Sequence, residues 1–289
     1  MANELYVGIT TWNDEIFLPY CLEALKKTLE GIDYKIFITD NGSEDNTLDI
    51  ARQYTKYIRV KRETQPNALN FLVSQSKAER TLLIHSDVIM LSHDWYQLCN
   101  AYLNNGSVLV SPEDIGLGNY QRTFGAGKPE SSFMLYDTAW LKRVRRFYPK
   151  RLAKRLLRRP NKAFYGFDFY GEHVTYNIPK IISNGNRNWT MMKVHPSTRQ
   201  CTPIHVSGDS KWMADPAFRS YGYGNFYSVD GVVTHYHNWF ARWESQFGVG
   251  NSKWGVPASM IKSYSLRFLE DYKNDSIEYP ITNKRIDEI

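Results

Sequence analysis

The chain has 289 residues, 42% of them hydrophobic and 23% charged, which is enough to bury the core of one large α/β domain. Its formal charge of +6 is uneven: the window 141–162 holds 11 of the 36 Lys and Arg and no acid, leaving 25 basic residues against 30 acidic ones elsewhere. Three scattered cysteines, Cys21, Cys99 and Cys201, exclude a disulfide scaffold, and no apolar run is long enough for a membrane span. Because the N-terminus runs straight into a strand pattern without a leader, a cytoplasmic protein is expected.

Leu5–Thr11 (LYVGITT) reads as a strand, followed by Trp12-Asn13-Asp14-Glu15 and a helix with Leu18, Cys21, Leu22, Leu25 and Leu29 on its apolar face. Tyr34–Thr39 is a second strand, running into Asp40-Asn41-Gly42-Ser43-Glu44-Asp45-Asn46-Thr47 and a helix near Leu48–Tyr54. A third helix, Asn67–Lys77, leads to Thr81–Met90, whose apolar run is broken by His85-Ser86-Asp87. Side chains one residue apart on a strand point to the same side, so His85 and Asp87 together suit a divalent cation. Strand, polar turn and helix in alternation predict an open, mostly parallel sheet that binds its ligand at the carboxyl ends of the strands.

Beyond this, Ser92–Leu103 has helical spacing and Ser107–Ser111 reads as a strand, while 112–129 is a Gly/Pro-rich loop over the active face. Ser131–Tyr136 is the next strand, feeding a helix from Thr138 into the basic window. There Leu141, Val144 and Phe147, then Leu152, Leu156 and Leu157 beyond Pro149, form the apolar sides of two cationic amphipathic helices. The C-terminal third is aromatic: Tyr221–Tyr227 reads as a flexible segment and Val229–Tyr236 as a strand running into His235-Tyr236-His237. Trp239–Trp254 is expected to be a mobile lid and Pro257–Lys273 a closing helix.

The motifs at Thr10 to Asp14, Asp40 to Thr47 and His85 to Asp87 resemble, in sequence and spacing, those of family 2 glycosyltransferases of the GT-A fold. The resemblance implies an α/β, Rossmann-like sheet with flanking helices, here followed by an aromatic C-terminal extension. It divides the chain into a nucleotide-sugar and metal half (1–111), an acceptor half (112–206) with a basic insertion (141–162), and a lid and closing helix (207–289). It also implies a nucleotide-diphosphate sugar donor bordered by Thr10, Asn13, Asp40, Asn41 and Ser86, with Asp40 on the base. A divalent cation would sit on Asp87 and His85, completed by His235 or His237. His85 stands where the family's D-x-D motif has its first Asp, and an imidazole favours Mn²⁺, with Mg²⁺ possible. The family's general base lies near Gly171-Glu172-His173, so Glu172, His173 and Asp168 are the candidates, Glu172 first.

The expected activity is therefore inverting transfer of a sugar to an acceptor hydroxyl. The basic window, with Arg145, Arg146, Arg151, Arg155, Arg158 and Arg159, suits a glycan or lipid-linked acceptor on an anionic membrane surface. A second acceptor class is DNA with a hydroxymethylated base, flipped out and held by aromatics such as Tyr221, Tyr223 and Trp239. A third reading, a sugar-nucleotide binding protein without catalysis, draws on the two histidines, His85 and His173, at motif Asp positions.

Overall fold

The computed structural model describes residues 4–112, 129–143, 178, 182–183, 185–194, 221, 224–238, 252–253 and 256–277. The architecture is mixed α/β, as expected for a GT-A domain. The first strand β1 (Leu5–Thr11), helix α1 (Leu18–Thr28), β2 (Tyr34–Asp40), α2 (Thr47–Tyr54), β3 (Ile58–Val60), α3 (Gln65–Gln75) and β4 (Arg80–His85) alternate along the chain. They are followed by β5 (Val88–Met90), α4 (Trp95–Asn104), β6 (Ser107–Pro112), β7 (Phe133–Asp137) and α5 (Thr138–Arg143). Strands β8 (Asn188–Val194), β9 (Gly224–Val229) and β10 (Val232–Asn238) and helix α6 (Ala258–Lys273) complete the elements used below.

The ten strands form one sheet in the order β3-β2-β1-β4-β7-β6-β8-β9-β10-β5. Strands β3, β2, β1 and β4 are mutually parallel, and β6 pairs parallel with β8, whereas β7, β9 and β5 run against their neighbours. A central parallel strand is covered on both faces, which explains why β1 is an almost continuous buried run. On one face α1 inserts Leu18, Cys21, Leu22 and Leu25, joined by Trp95 of α4, whose indole N–H donates to Thr28 Oγ1 at 3.0 Å. On the other, α3 lies close to β1: a Cβ on Gly8 would sit 3.2 Å from Leu72 of α3 and 3.1 Å from Leu83 of β4. Cys21 and Cys99 are free and buried, and burial, with Asp14 and Asp87 nearby, pushes the Cys21 thiol well up, so it acts as core.

Thr81–Met90 divides at the polar break seen in its sequence: β4 ends at His85, and β5 leaves it to pair antiparallel with β10. Two expectations need correction. The segment before residue 229 contains a strand, since Gly224–Val229 is β9, joined to β10 by Asp230-Gly231 with φ of 51° and 81°. Two positive φ values at an Asp-Gly pair make a hairpin turn whose twist matches the strands it joins. Tyr221 is not poised to hold a ligand; it is buried against Phe226 and Phe268 and its hydroxyl donates to Asp271 at 2.8 Å. Strands β3 and β8, too short or too polar to stand out by pattern, were not expected.

Candidate metal and nucleotide site

The register of the parallel strands sets three strand ends side by side. Thr11 lies opposite Asp40, and Thr10 opposite His85, so the polar turns after β1, β2 and β4 share one rim of the sheet. Two of these turns interlock. The backbone N–H of Asn13, itself at φ 46°, donates to Ser43 Oγ at 2.8 Å, and Asn13 Oδ1 accepts from Glu44 N–H at 2.8 Å. Asn41 N–H donates to Thr11 O at 2.9 Å, and Asn41 Oδ1 accepts from Glu63 N–H at 2.7 Å. Asp40, 1% exposed, accepts at Oδ1 from the N–H groups of Gly42 (3.0 Å) and Ser43 (2.9 Å) and at Oδ2 from the Ser43 hydroxyl. Its carboxylate thus caps the turn in which Gly42 takes φ 79°. Ser86 is fully buried, whereas Thr10 is half-buried at the rim.

The third turn brings charges together. His85, Asp87 and His237 place one ligand atom each within 4.8 Å of one another. His237 Nε2 is 3.5 Å and His85 Nδ1 4.0 Å from Asp87 Oδ1, and the two imidazoles meet edge to face at 5.9 Å between centroids. The topology explains the arrangement. Strand β5 pairs with β10 so that His237 faces Val88, and Asn238 N–H donates to Asp87 O at 3.1 Å. A residue far along the chain is thereby fixed beside the turn at residues 86–87.

His235 is not part of this cluster. Its ring, fully buried, is stacked between Phe133 (4.8 Å, 14°) and Tyr227 (5.0 Å, 26°), and Nδ1 meets Thr234 Oγ1 at 3.1 Å. Burial, and then the proximity of His237, push its pKa well below the ordinary histidine value, so it is a neutral ring in the core.

Two residues absent from the sequence-based candidates stand behind the cluster. Glu130 Oε2 lies 3.7 Å from His237 Nδ1 and accepts from Ser132 N–H at 3.1 Å and from the Ser132 hydroxyl. Gln65, the first residue of α3, places its Nε2 2.7 Å from His85 Nε2. The β4/β7 ladder could have revealed Glu130: Ile84 faces Phe133 and His85 N–H donates to Ser132 O, so the same register carries Glu130 to the level of Asp87.

Two imidazole nitrogens and a carboxylate oxygen, nearly buried together, form a mixed N/O donor set that fits a divalent transition ion and leaves coordination positions open. Burying a carboxylate this deeply, with Asp87 3% exposed, favours a nearby positive charge. Glu172, His173 and Asp168, and Arg145, Arg146, Arg151, Arg155, Arg158 and Arg159, lie outside the described residues, as do Tyr223 and Trp239.

Comparison with known proteins adds a lineage. A family model described as Glycosyl transferase family 2 matches residues 6–179. A poly(ribitol-phosphate) beta-glucosyltransferase of Bacillus spizizenii is 29% identical over 172 residues, 55% of this chain and 26% of that protein. The chain thus spans about a quarter of that relative's length. Among solved structures, the mannosyltransferase PcManGT of Pyrobaculum calidifontis, in complex with GDP-Man and Mn²⁺, gives a TM-score of 0.46 at 14% identity, over 70% of this chain and 61% of that one. S. aureus TarS 1-349 gives 0.36 at 19%, over 50% and 49%.

Proposed function

The chain belongs to glycosyltransferase family 2, and from that premise we infer that it moves a sugar from a nucleotide-diphosphate donor to an acceptor hydroxyl, with a divalent cation at His85, Asp87 and His237. The observation that carries this reading is the convergence of those three side chains on the rim where the β1 and β2 turns also end.

Bound there, the cation would neutralise the charge that grows on the departing diphosphate. The chain's own residues supply the rest. Thr10, Asn13, Asn41 and Ser86 border the nucleoside, with Asn13 and Asn41 holding the two turns in register. Asp40 shapes that pocket first through the turn it caps; a base N–H would meet an oxygen that already accepts from the protein. Glu172, with His173 and Asp168 as alternatives, takes the acceptor proton as the hydroxyl attacks the anomeric carbon. A single displacement of this kind inverts that carbon. Two nitrogen donors favour Mn²⁺ over Mg²⁺.

The acceptor proposed is an anionic, hydroxyl-bearing glycan or lipid-linked polymer at the inner membrane surface. The relative from Bacillus spizizenii bears the name of an enzyme for a ribitol-phosphate polymer, and the 11 cations of 141–162 suit polyanionic material. Among the described residues no helix is long and apolar enough to cross a membrane.

The test is release of nucleoside diphosphate from UDP-glucose, UDP-GlcNAc and GDP-mannose with Mn²⁺, with and without poly(ribitol phosphate) or hydroxymethylated duplex DNA. Turnover that chelation abolishes and the polymer stimulates is expected. Stimulation by DNA alone would move the acceptor to nucleic acid, and no turnover of any donor with Mn²⁺ or Mg²⁺ would leave a binding protein.

A further inference from the structure

The geometry points to Gln65 as a positioning residue for the cation site, acting through the tautomer of His85; this rests on the cation-site reading above. The observation is the 2.7 Å approach of Gln65 Nε2 to His85 Nε2, on the side of the ring away from Asp87. His85 Nδ1 faces Asp87 Oδ1 at 4.0 Å, so the two ring nitrogens have different neighbours: an amide behind, a carboxylate in front.

An imidazole has one proton to place when neutral. With its amide nitrogen placed at Nε2, Gln65 would donate to that nitrogen, and a neutral ring would then carry its proton on Nδ1, the nitrogen on the Asp87 side. That tautomer suits a site without a cation, because an N–H facing a buried carboxylate partly compensates its charge. It cannot ligate, since the Nδ1 lone pair is used. For Nδ1 to hold a cation, the ring's one proton would have to be on Nε2 instead, with no net change in charge on the ring. The partner behind must then accept rather than donate. An amide can do both: a half-turn about its last torsion exchanges NH₂ for the carbonyl oxygen at the same reach. Gln65 therefore holds the ring plane fixed in both states, and only the amide rotates.

The placement is built into the backbone. Gln65 opens α3, with Thr64 in the extended conformation before it and Pro66 in the first turn, so the residue's Cα is fixed by the helix start. The first position of the family's D-x-D motif needs no such partner when it is Asp, because a carboxylate has no tautomers. Gln65 and His85 thus form a unit in this chain: exchanging the carboxylate for an imidazole makes the residue behind it matter.

The test is Mn²⁺ affinity of the whole chain, followed by loss of the free-ion EPR signal, with Mn²⁺ alone and with UDP or GDP added. Gln65→Leu can neither donate nor accept and should weaken Mn²⁺ binding by about 10–100-fold, the usual cost of losing the partner behind a metal-bound histidine. Gln65→Glu, which can only accept from Nε2–H, should bind Mn²⁺ as tightly as the parent or more tightly. In a His85→Ala background, Gln65→Leu should cost nothing further. Parent-like affinity in Gln65→Leu, or an equal loss with and without His85, would overturn the inference. If Gln65→Leu fails to fold, Gln65→Glu decides alone, and a tenfold weaker affinity there would be fatal. Asp87→Asn separates the two levels: should it bind Mn²⁺ like the parent, the cation site itself is misplaced and the role of Gln65 goes with it. Should Asp87→Asn lose Mn²⁺ while Gln65→Leu does not, only the tautomer argument fails.

Discussion

Two aspartates stand at polar turns on the same rim of the sheet, both almost fully buried, and they face different partners. Asp40 turns its oxygens inward, onto two backbone N–H groups and a hydroxyl of its own turn. Asp87 turns Oδ1 toward the nitrogens of two imidazoles, His85 at the end of β4 just before it and His237 from β10. The first carboxylate is surrounded by partners within three residues of sequence, so its charge is absorbed in fixing a backbone. The second meets His85 from its own turn and His237 from far along the chain, so its charge is aimed at a point that tertiary structure completes. Residue type and position on the rim do not distinguish the two; the kind of partner does, backbone N–H groups and a hydroxyl for Asp40, imidazole nitrogens for Asp87.

Exchanging the charge at each position sharpens this contrast. Asp87→Asn keeps the shape and should lower sugar transfer by about 10²–10⁴ at saturating Mn²⁺, the scale of losing a major electrostatic stabiliser, with little change in unfolding temperature. Near-normal transfer would remove Asp87 from the site. The two histidines of β10 repeat the contrast on one strand. His235→Ala opens a gap between Phe133 and Tyr227 and should cost about 3 kcal/mol of stability in urea unfolding, close to other large-to-small changes at stacked core rings. His237→Ala should instead spare stability and lose Mn²⁺; equal unfolding midpoints for the two variants would erase the distinction.

Asp40→Ala strands the amides of Gly42 and Ser43, and a loss of about 2 kcal/mol is expected by the same unfolding measurement. If it were as stable as the parent but could not bind the donor in calorimetry, Asp40 would be a ligand rather than a cap. The smallest effect should come from Glu130→Gln, which keeps an acceptor for Ser132 but removes the charge beside His237: a loss of about tenfold in Mn²⁺ affinity. No change in a Mn²⁺ titration would make Glu130 only a brace for its own turn.

The parallel strands β1, β2 and β4 were legible because a buried parallel strand writes a plain signal, an apolar run that stops at polar residues, as at Thr11, Asp40 and His85. Asp87 and His237 could be named from the sequence, but their meeting depends on the pairing of β5 with β10, which no local pattern encodes. The hairpin of β9 and β10 was hidden by its aromatic content, although Asp230-Gly231 is a turn signal between two strand-like runs. His235 looked like a ligand because it shares a strand face with His237. What separates them is depth, for His235 lies where Phe133 and Tyr227 close over both sides of the ring. Gln65 had no signature at all, since a glutamine opening a helix is ordinary until the ring in front of it is known.

Gly8 gives the site a mechanical setting. With only hydrogen on its Cα, the middle of β1 lets Leu72 of α3 come to within 3.2 Å of where a methyl group would be. The standoff between α3 and the sheet is therefore fixed by a single missing carbon, some two turns of helix away from Gln65. A rigid helix is a lever: whatever sets its height at Leu72 also sets the reach of the amide at its tip, and so the distance across which His85 is gripped. The tolerance of the cation site is in this sense machined into the floor of the sheet, not at the rim where the ligands stand.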